Sequence, residues 1–333
     1  MHRTSFSTTP RQGYRRCAPT LVLTLTALAG LGTGAARAQP VPDAGGAPTT
    51  VASSAPGCGT LFDDFDYSGR DDPALADHGW TLRSGGGGPG VGGGDGWSRD
   101  RVDFVDVDGQ SAARLTARTD GTSAGTSQAE LAQREFRFRE GTYAARIRFS
   151  DRPVSGSGTA RPNQTFYALS PLRYDWDPEY SELDFAEYLS RGGWGSDGPA
   201  LFTTSYHSYQ ADPWEAQNVS DVRYGSLDGW HVISATATDG VIRYSLDGEE
   251  IAVHDRDSAD YDVFPRSDMQ LAFNHWFIDL GDDGSRGPVE YQEHVDWVLY
   301  HAGTASSPEQ VREDVDSYRA SGVSHTDDLG ACG

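Results

Sequence analysis

Residues 232–254 read VISATAT, DG, VIRYSL, DG, EEIAVH, and this stretch decides the fold class. Apolar and polar residues alternate through Val232–Thr238, Val241–Leu246 and Glu250–His254, the period of a strand with one buried face. The pairs Asp239-Gly240 and Asp247-Gly248 suit the positive φ of tight hairpin turns. Three antiparallel strands are expected. Working outward, Gly141–Phe149 alternates in the same way, and Met269–Phe277 and His294–Tyr300 are apolar runs of strand length. A single helix is expected, with Ser307 as N-cap, Pro308 at its first position and Glu309 in its first turn. It runs to Ala320, where Gly322 can end it. Recurrent short strands with so little helix point to an all-β sandwich or jelly roll of two antiparallel sheets.

The chain ends read differently. Arg3, Arg11, Arg15 and Arg16 precede an apolar run, Leu21–Leu31, and Ala36-Arg37-Ala38 follows. This is the three-part pattern of a secretory signal cleaved after Ala38, so a secreted, extracellular protein is expected. The run is too short to span a bilayer. Arg15-Arg16 leaves the export route, Sec or twin-arginine, open. Residues 39–56 are rich in Pro, Ala, Ser, Thr and Gly and read as a flexible linker. The expected domain covers 57–302, and 303–333 form an extension, carrying the short helix, packed on the same domain. Cys58 and Cys332 lie at the two ends of the mature chain. In an oxidising compartment a disulfide between them is expected if the first and last strands pair.

The chain has 333 residues, with 27 basic and 49 acidic side chains and a net charge of -22. Every basic residue is Arg, and Lys is absent. Schiff-base, P-loop and Ser-Lys chemistry are therefore excluded. Such a charge would repel a phosphate backbone or an anionic membrane, so no nucleic acid or membrane partner is expected, and the mature protein is expected to be monomeric. Residues 84–96 contain a G-x-G-x-x-G match at Gly85, Gly87 and Gly90. The flanks lack the strand and helix of a nucleotide site, which leaves a Gly-rich loop at a cleft edge. There is no H-E-x-x-H, no Cys/His cluster and no G-x-S-x-G.

Catalytic promise is concentrated in Glu182-Leu-Asp184-Phe-Ala-Glu187-Tyr188. Alternation puts Glu182 and Asp184 on one face and Leu183 and Phe185 on the other. Simple parity would turn Glu187 away. One extra residue between Asp184 and Glu187, a β-bulge for which Ala186 is small enough, returns it to the acids' face. Crowded carboxylates raise one another's pKa. Glycoside hydrolysis uses such a set, one acid ionised for attack and one protonated for the leaving oxygen. On residues alone a solvated acidic face and a calcium site remain open as readings.

The motif resembles the E-[IL]-D-x-x-E-Y signature of glycoside hydrolase family 16, the laminarinase-like β-jelly rolls. Further landmarks follow in order. Phe62-Asp-Asp-Phe65 resembles the opening F-x-D-E-F, and Gly141-Thr-Tyr-Ala-Ala-Arg146 resembles G-x-[FY]-E-A-R. Asp228-Gly-Trp-His231 and Tyr244-Ser-Leu-Asp247-Gly248 resemble D-x-F-H and Y-x-x-D-G. Met269-Gln-Leu-Ala-Phe-Asn274-His-Trp276 resembles M-x-L-x-x-N-x-W, and Val295-Asp296-Trp297-Val298 the closing V-D-W-V. The likeness spans about residues 60–301.

The resemblance implies a retaining endo-hydrolase with Glu182 as nucleophile, Glu187 as acid/base and Asp184 assisting. It implies a polysaccharide partner, by default a β-1,3- or mixed-linkage β-glucan. Galactan or agar hydrolysis, transglycosylation and a non-catalytic glycan-binding jelly roll are the alternatives. By family analogy Asn274 and Trp276 face the sugar. Trp194, Tyr206, His207, Trp214 and Trp97 are further cleft candidates, because aromatic rings suit the C–H faces of a pyranose. No catalytic cofactor is expected. A structural calcium ion is implied at Asp64 and Asp296. The chain departs from the family where Asn163–Ser170 replaces a Trp-Pro-Ala-x-Trp stretch and where Ala145 replaces a Glu. A Trp expected after His231 is also missing from Ser234–Thr238. These positions shape the cleft and bear on which sugar is bound.

Overall fold

The structure is a computed structural model, and it describes residues 59–90, 96–281 and 287–330. The signal segment, the linker, Cys58 and Cys332 lie outside the described residues. In chain order the elements are β1 (Thr60–Asp63), α1 (Pro73–Asp77), β2 (Trp80–Leu82), β3 (Val102–Val107), β4 (Gln110–Thr119), β5 (Ala129–Gln133), β6 (Gly141–Phe149), β7 (Arg161–Leu169), β8 (Glu182–Leu189) and β9 (Ala200–Gln210). They continue with β10 (Glu215–Tyr224), β11 (Gly229–Thr238), β12 (Val241–Leu246), β13 (Glu249–His254), β14 (Gln270–Asp279), β15 (Val289–Ala302), α2 (Pro308–Ala320) and β16 (His325–Asp327).

Two antiparallel sheets result. One runs β13-β12-β11-β6-β15-β1-β16, with β4 also on β15 and β3 on β4; the other runs β10-β9-β8-β7-β14-β5-β2. The quoted hairpins close as expected. Asp239 and Asp247 take φ of 54° and 52°, and Gly240 and Gly248 take 78° and 85°, the left-handed pair that matches strand twist. Side chains from the facing sheets fill the core between them. Leu183, Phe185, Ala186 and Tyr188 of β8 meet Tyr143, Ala145 and Ile147 of β6 and Val295, Val298 and Tyr300 of β15 in one apolar cluster. Phe185 packs on Phe166 and Tyr143 at ring separations of 4.7 and 4.6 Å.

The helix is where the sequence puts it. Ser307 and Gln310 form a reciprocal capping box, and Pro308 opens the first turn. Val311 and Val315 cover Phe62, Trp297 and Leu299, so α2 seals the outer face of the larger sheet. Leaving that apolar strip in water would cost about 1.5–3 kcal/mol per large side chain. The first and last described strands do pair: β1 lies between β15 and β16, and Asp328 donates its N–H to the Thr60 carbonyl at 3.0 Å.

Candidate functional site

The smaller sheet turns one face to the core and the other outward, and β8 lies inside it between β9 and β7. Glu182 stands opposite Tyr206, Asp184 opposite Thr204 and Glu187 opposite Phe202 on β9. On the other side Asp184 faces Tyr167 and Glu187 faces Thr165 of β7, and Phe185 has no counterpart. The register shifts between Asp184 and Glu187, which is the expected bulge. Phe185 and Ala186 both go into the core, and the three acids emerge on the same outer face. Asp184 is buried, whereas Glu182 and Glu187 keep partial contact with solvent.

Each acid has its own donors. Tyr180 donates its hydroxyl to Glu182 Oε2 at 2.5 Å. Glu182 and Asp184 share a hydrogen bond. Asn163 Nδ2 donates to Glu187 Oε1 at 3.1 Å, while its buried Oδ1 has no partner. No Arg or His lies within 4 Å of the three carboxylates among the described residues, so their charge is not neutralised. Burial raises Glu182 to about 7, against which the Tyr180 and Asp184 hydrogen bonds pull down. Burial, then the charge of Glu182, raises Glu187 to about 8, partly countered by Asn163. Asp184 is raised by burial and by both neighbours. All three carboxyls are held above their ordinary range, as a site that must keep one acid protonated requires.

The remaining candidates divide. Trp276 and Asn274 stand on β14 opposite Asn163 and Thr165 of β7, on the carboxylate face. Thr165 donates its hydroxyl to Asn274 Oδ1 at 2.5 Å and fixes that amide. Trp194, 42% exposed, leans on Phe202 at 5.5 Å and on Trp276 at 6.3 Å, giving an open aromatic ledge beside Glu187. Tyr206 is directly across from Glu182.

His207 is not on this face. It has no counterpart on β10, where the register shifts, and its Nδ1 meets the Asp262 carbonyl at 2.7 Å and Arg266 at 2.9 Å. Trp97 is buried, with its indole N–H donated to the Gly87 carbonyl at 2.7 Å and its ring covered by Arg83 at 4.4 Å. It braces the Gly-rich loop and offers no open surface. Trp214 is exposed in the turn between β9 and β10.

Sequence reading assigned no role to Asn163, Thr165, Tyr180 or Glu130. Alternation along β7 would have marked Asn163, Thr165 and Tyr167 as one row once β7 was placed beside β8. Tyr167 in turn donates to Glu130 at 3.2 Å, and Arg83 holds Glu130 at 2.8 Å.

Of the two residues assigned to calcium, Asp296 is already taken up by guanidinium groups, whereas Asp64 keeps one buried oxygen, Oδ1, without a hydrogen-bond partner. Asp296, at a register break of β15 and fully buried, accepts from Arg146 Nη1 at 2.6 Å and Arg319 Nη2 at 2.7 Å. The same Arg319, on α2, approaches Asp64 at 3.9 Å. Guanidinium groups fill the role of the cation there. A hollow of about 330 Å³ beside them is lined by Asp64, Asp66, Gln110, Ser111 and Arg319. One further group, Asp63, His78 and His325, brings possible ligand atoms within 4.8 Å of one another. Its imidazoles stack face to face at 3.6 Å, so their in-plane lone pairs run parallel instead of converging on one ion. Asp63 Oδ2 already accepts from Tyr67 and from Trp80 Nε1 and bonds His325. The group is a clasp joining β1, the end of α1 and β16.

Comparison with solved structures places the fold. A glycoside hydrolase family 16 endo-glucanase from Bacteroides ovatus, in complex with G4G3G-2F-DNP, superposes with a TM-score of 0.53 at 17% identity, over 71% of this chain and 98% of that one. The laminarinase catalytic domain from Thermotoga maritima gives 0.52 at 16% identity, over 73% and 97%. The chain shares the jelly-roll fold of these glycanases. A second Bacteroides ovatus GH16 structure, from a mixed-linkage glucan locus and bound to a G4G4G3G product, gives 0.52 at 17%, over 71% and 98%. At these identities the likeness is one of fold. No protein-family model matches the chain, and no curated protein matches its sequence.

Proposed function

We propose that the chain is a secreted, retaining endo-glycoside hydrolase of a neutral β-linked polysaccharide, with a β-1,3- or mixed-linkage β-glucan as its default substrate. The observation that carries this is the bulge of β8, which brings Glu182, Asp184 and Glu187 out together on an open face without a neutralising cation. Glu182 attacks the anomeric carbon while Glu187 gives its proton to the departing glycosidic oxygen, leaving a glycosyl ester on Glu182. Glu187, now ionised, takes a proton from water as that water attacks the anomeric carbon, and the bond from that carbon to Glu182 breaks to release the carboxylate. Asp184 hydrogen-bonds Glu182 between the two acids. Trp276 and Trp194 offer rings for the apolar faces of sugars next to the cleaved bond. A polymer outside the cell agrees with the export signal read in residues 1–38.

The test is a panel of polysaccharides (laminarin, mixed-linkage glucan, galactan and agar) assayed for new reducing ends. Cleavage of at least one, lost in Glu182→Gln, is expected. An inert wild-type protein, or a fully active Glu182→Gln, overturns the reading.

A further inference from the structure

Tyr180 is held from several sides before β8 begins. Its N–H bonds the Asp177 carbonyl at 3.1 Å, and Asp177 is itself gripped by Arg173 through two contacts of 2.6 Å. Its carbonyl accepts from Arg266. The next residue, Ser181, exchanges hydrogen bonds with Ser170 at 2.9 and 2.8 Å. The ring is buried and meets Tyr209 edge-on at 5.2 Å. A phenol so fixed, two residues before Glu182 on an extended chain, lies on the same side of the strand and points along it. Its hydroxyl reaches Glu182 Oε2 at 2.5 Å.

The two glutamates are therefore served unequally. Glu182 receives a phenol and a carboxyl neighbour, whereas Glu187 receives one amide. Hydrogen bonds to the charged form of a carboxylate favour that form. We propose that Tyr180 is a positioning residue: its hydroxyl clamps Glu182 Oε2, aims Oε1 at the sugar, and makes Glu182 the nucleophile of the pair. The inference rests on the hydrolase reading above. The clamp acts in both steps. It holds the attacking carboxylate, and it favours the same carboxylate as leaving group when water cleaves the ester. The phenol serves as donor throughout, since burial and the charge of Glu182 raise it well above its ordinary value.

The titratable groups facing Glu182 are Asp184 and Glu187 from β8, Tyr206 and Tyr209 from β9, and Tyr167 from β7. Of these, Tyr209 also hydrogen-bonds the Tyr180 hydroxyl. Tyr180→Phe keeps the ring and its contact with Tyr209 and removes only the oxygen.

The experiment pairs two readouts. In protein carrying ¹³C-labelled glutamate, the Glu182 carboxyl resonance, assigned through Glu182→Gln, is titrated in wild type and in Tyr180→Phe. The midpoint is expected to rise by about one pH unit, a tenfold change in proton affinity. On mixed-linkage β-glucan the acid limb of kcat/KM is expected to rise by the same interval. On its acid side kcat is expected to fall about tenfold or more, with KM little changed. A resonance that titrates alike in both folded proteins overturns the clamp, as does an unmoved acid limb in an active variant. A wild type inert on every polymer, but with the shifted midpoint, overturns the hydrolase reading alone.

Discussion

Two sets of buried or half-buried acids stand on opposite faces of this sandwich, and their surroundings differ. Asp296, on the outer side of the larger sheet, is fully enclosed and matched by two guanidiniums, Arg146 and Arg319. Glu182, Asp184 and Glu187, on the open face of the smaller sheet, meet only hydroxyl, carboxyl and amide groups. Asp296 is a structural joint between β6, β15 and α2. Burial, joined at Asp184 and Glu187 by the charge of neighbouring acids, keeps the trio's protons on to near-neutral pH. Matched charge stabilises a fold, whereas unmatched charge is available for proton transfer.

The contrast can be broken from either side. The largest expected effect is on the open face. Glu182→Gln should reduce turnover by about 10³-fold or more, measured as reducing ends released per folded molecule, while the urea midpoint stays at or above that of wild type. The opposite substitution, Asp296→Ala, should spare kcat and lower stability. Breaking a fully buried pair costs about 3–5 kcal/mol, and about 2–3 is expected here because both guanidiniums reach solvent. Urea denaturation checks it, and an unchanged midpoint would mean that Asp296 carries no such joint.

Because Arg319 serves as the cation of that joint, we expect the wild-type melting temperature to be the same in EDTA and in millimolar calcium. Arg319→Ala should lower it and make it respond to calcium.

A smaller effect sharpens the comparison with a third acid. Glu293 on β15 is completely enclosed in the core, with no cation beside it among the described residues, and burial raises its pKa well above the ordinary value, partly countered by a hydrogen bond from the Thr165 backbone. Glu293→Leu should stabilise by about 1–3 kcal/mol. For an acid with a raised folded pKa, stability falls as pH rises above the unfolded value. The gain over wild type should therefore be larger at pH 8 than at pH 6, and a gain that is flat with pH would contradict the assignment.

Much of this was legible in the chain because the signals were local. Asp-Gly turns set two hairpins, Ser307-Pro308 set the helix start, and the spacing of Glu182, Asp184 and Glu187 demanded a bulge. The hairpin of β9 and β10 has no Asp-Gly pair, and β10 is an exposed edge strand, so no apolar alternation announces it. Tyr206 and His207 are both cleft candidates by residue type, and only the register shift of β9 against β10 and the contacts of His207 with Asp262 and Arg266 separate them. Trp97 reads as a platform by residue type, yet Arg83 and the Gly-rich loop cover it. Tyr180 lies outside β8, and its role depends on turns held by Arg173 and Arg266, which leave no pattern in the sequence. Arg319 lies beyond the stretch that resembles the family, so its pairing with Asp296 emerged only in three dimensions.

The most direct test of the central claim uses Glu187→Ala with azide, on an aryl β-glycoside of whichever oligosaccharide the wild type releases. Removing the acid/base leaves the Glu182 ester stranded, and azide, needing no base, should restore turnover and yield the β-glycosyl azide. An α-glycosyl azide, or no rescue at any azide concentration, would contradict a nucleophile and an acid/base set on one face of β8.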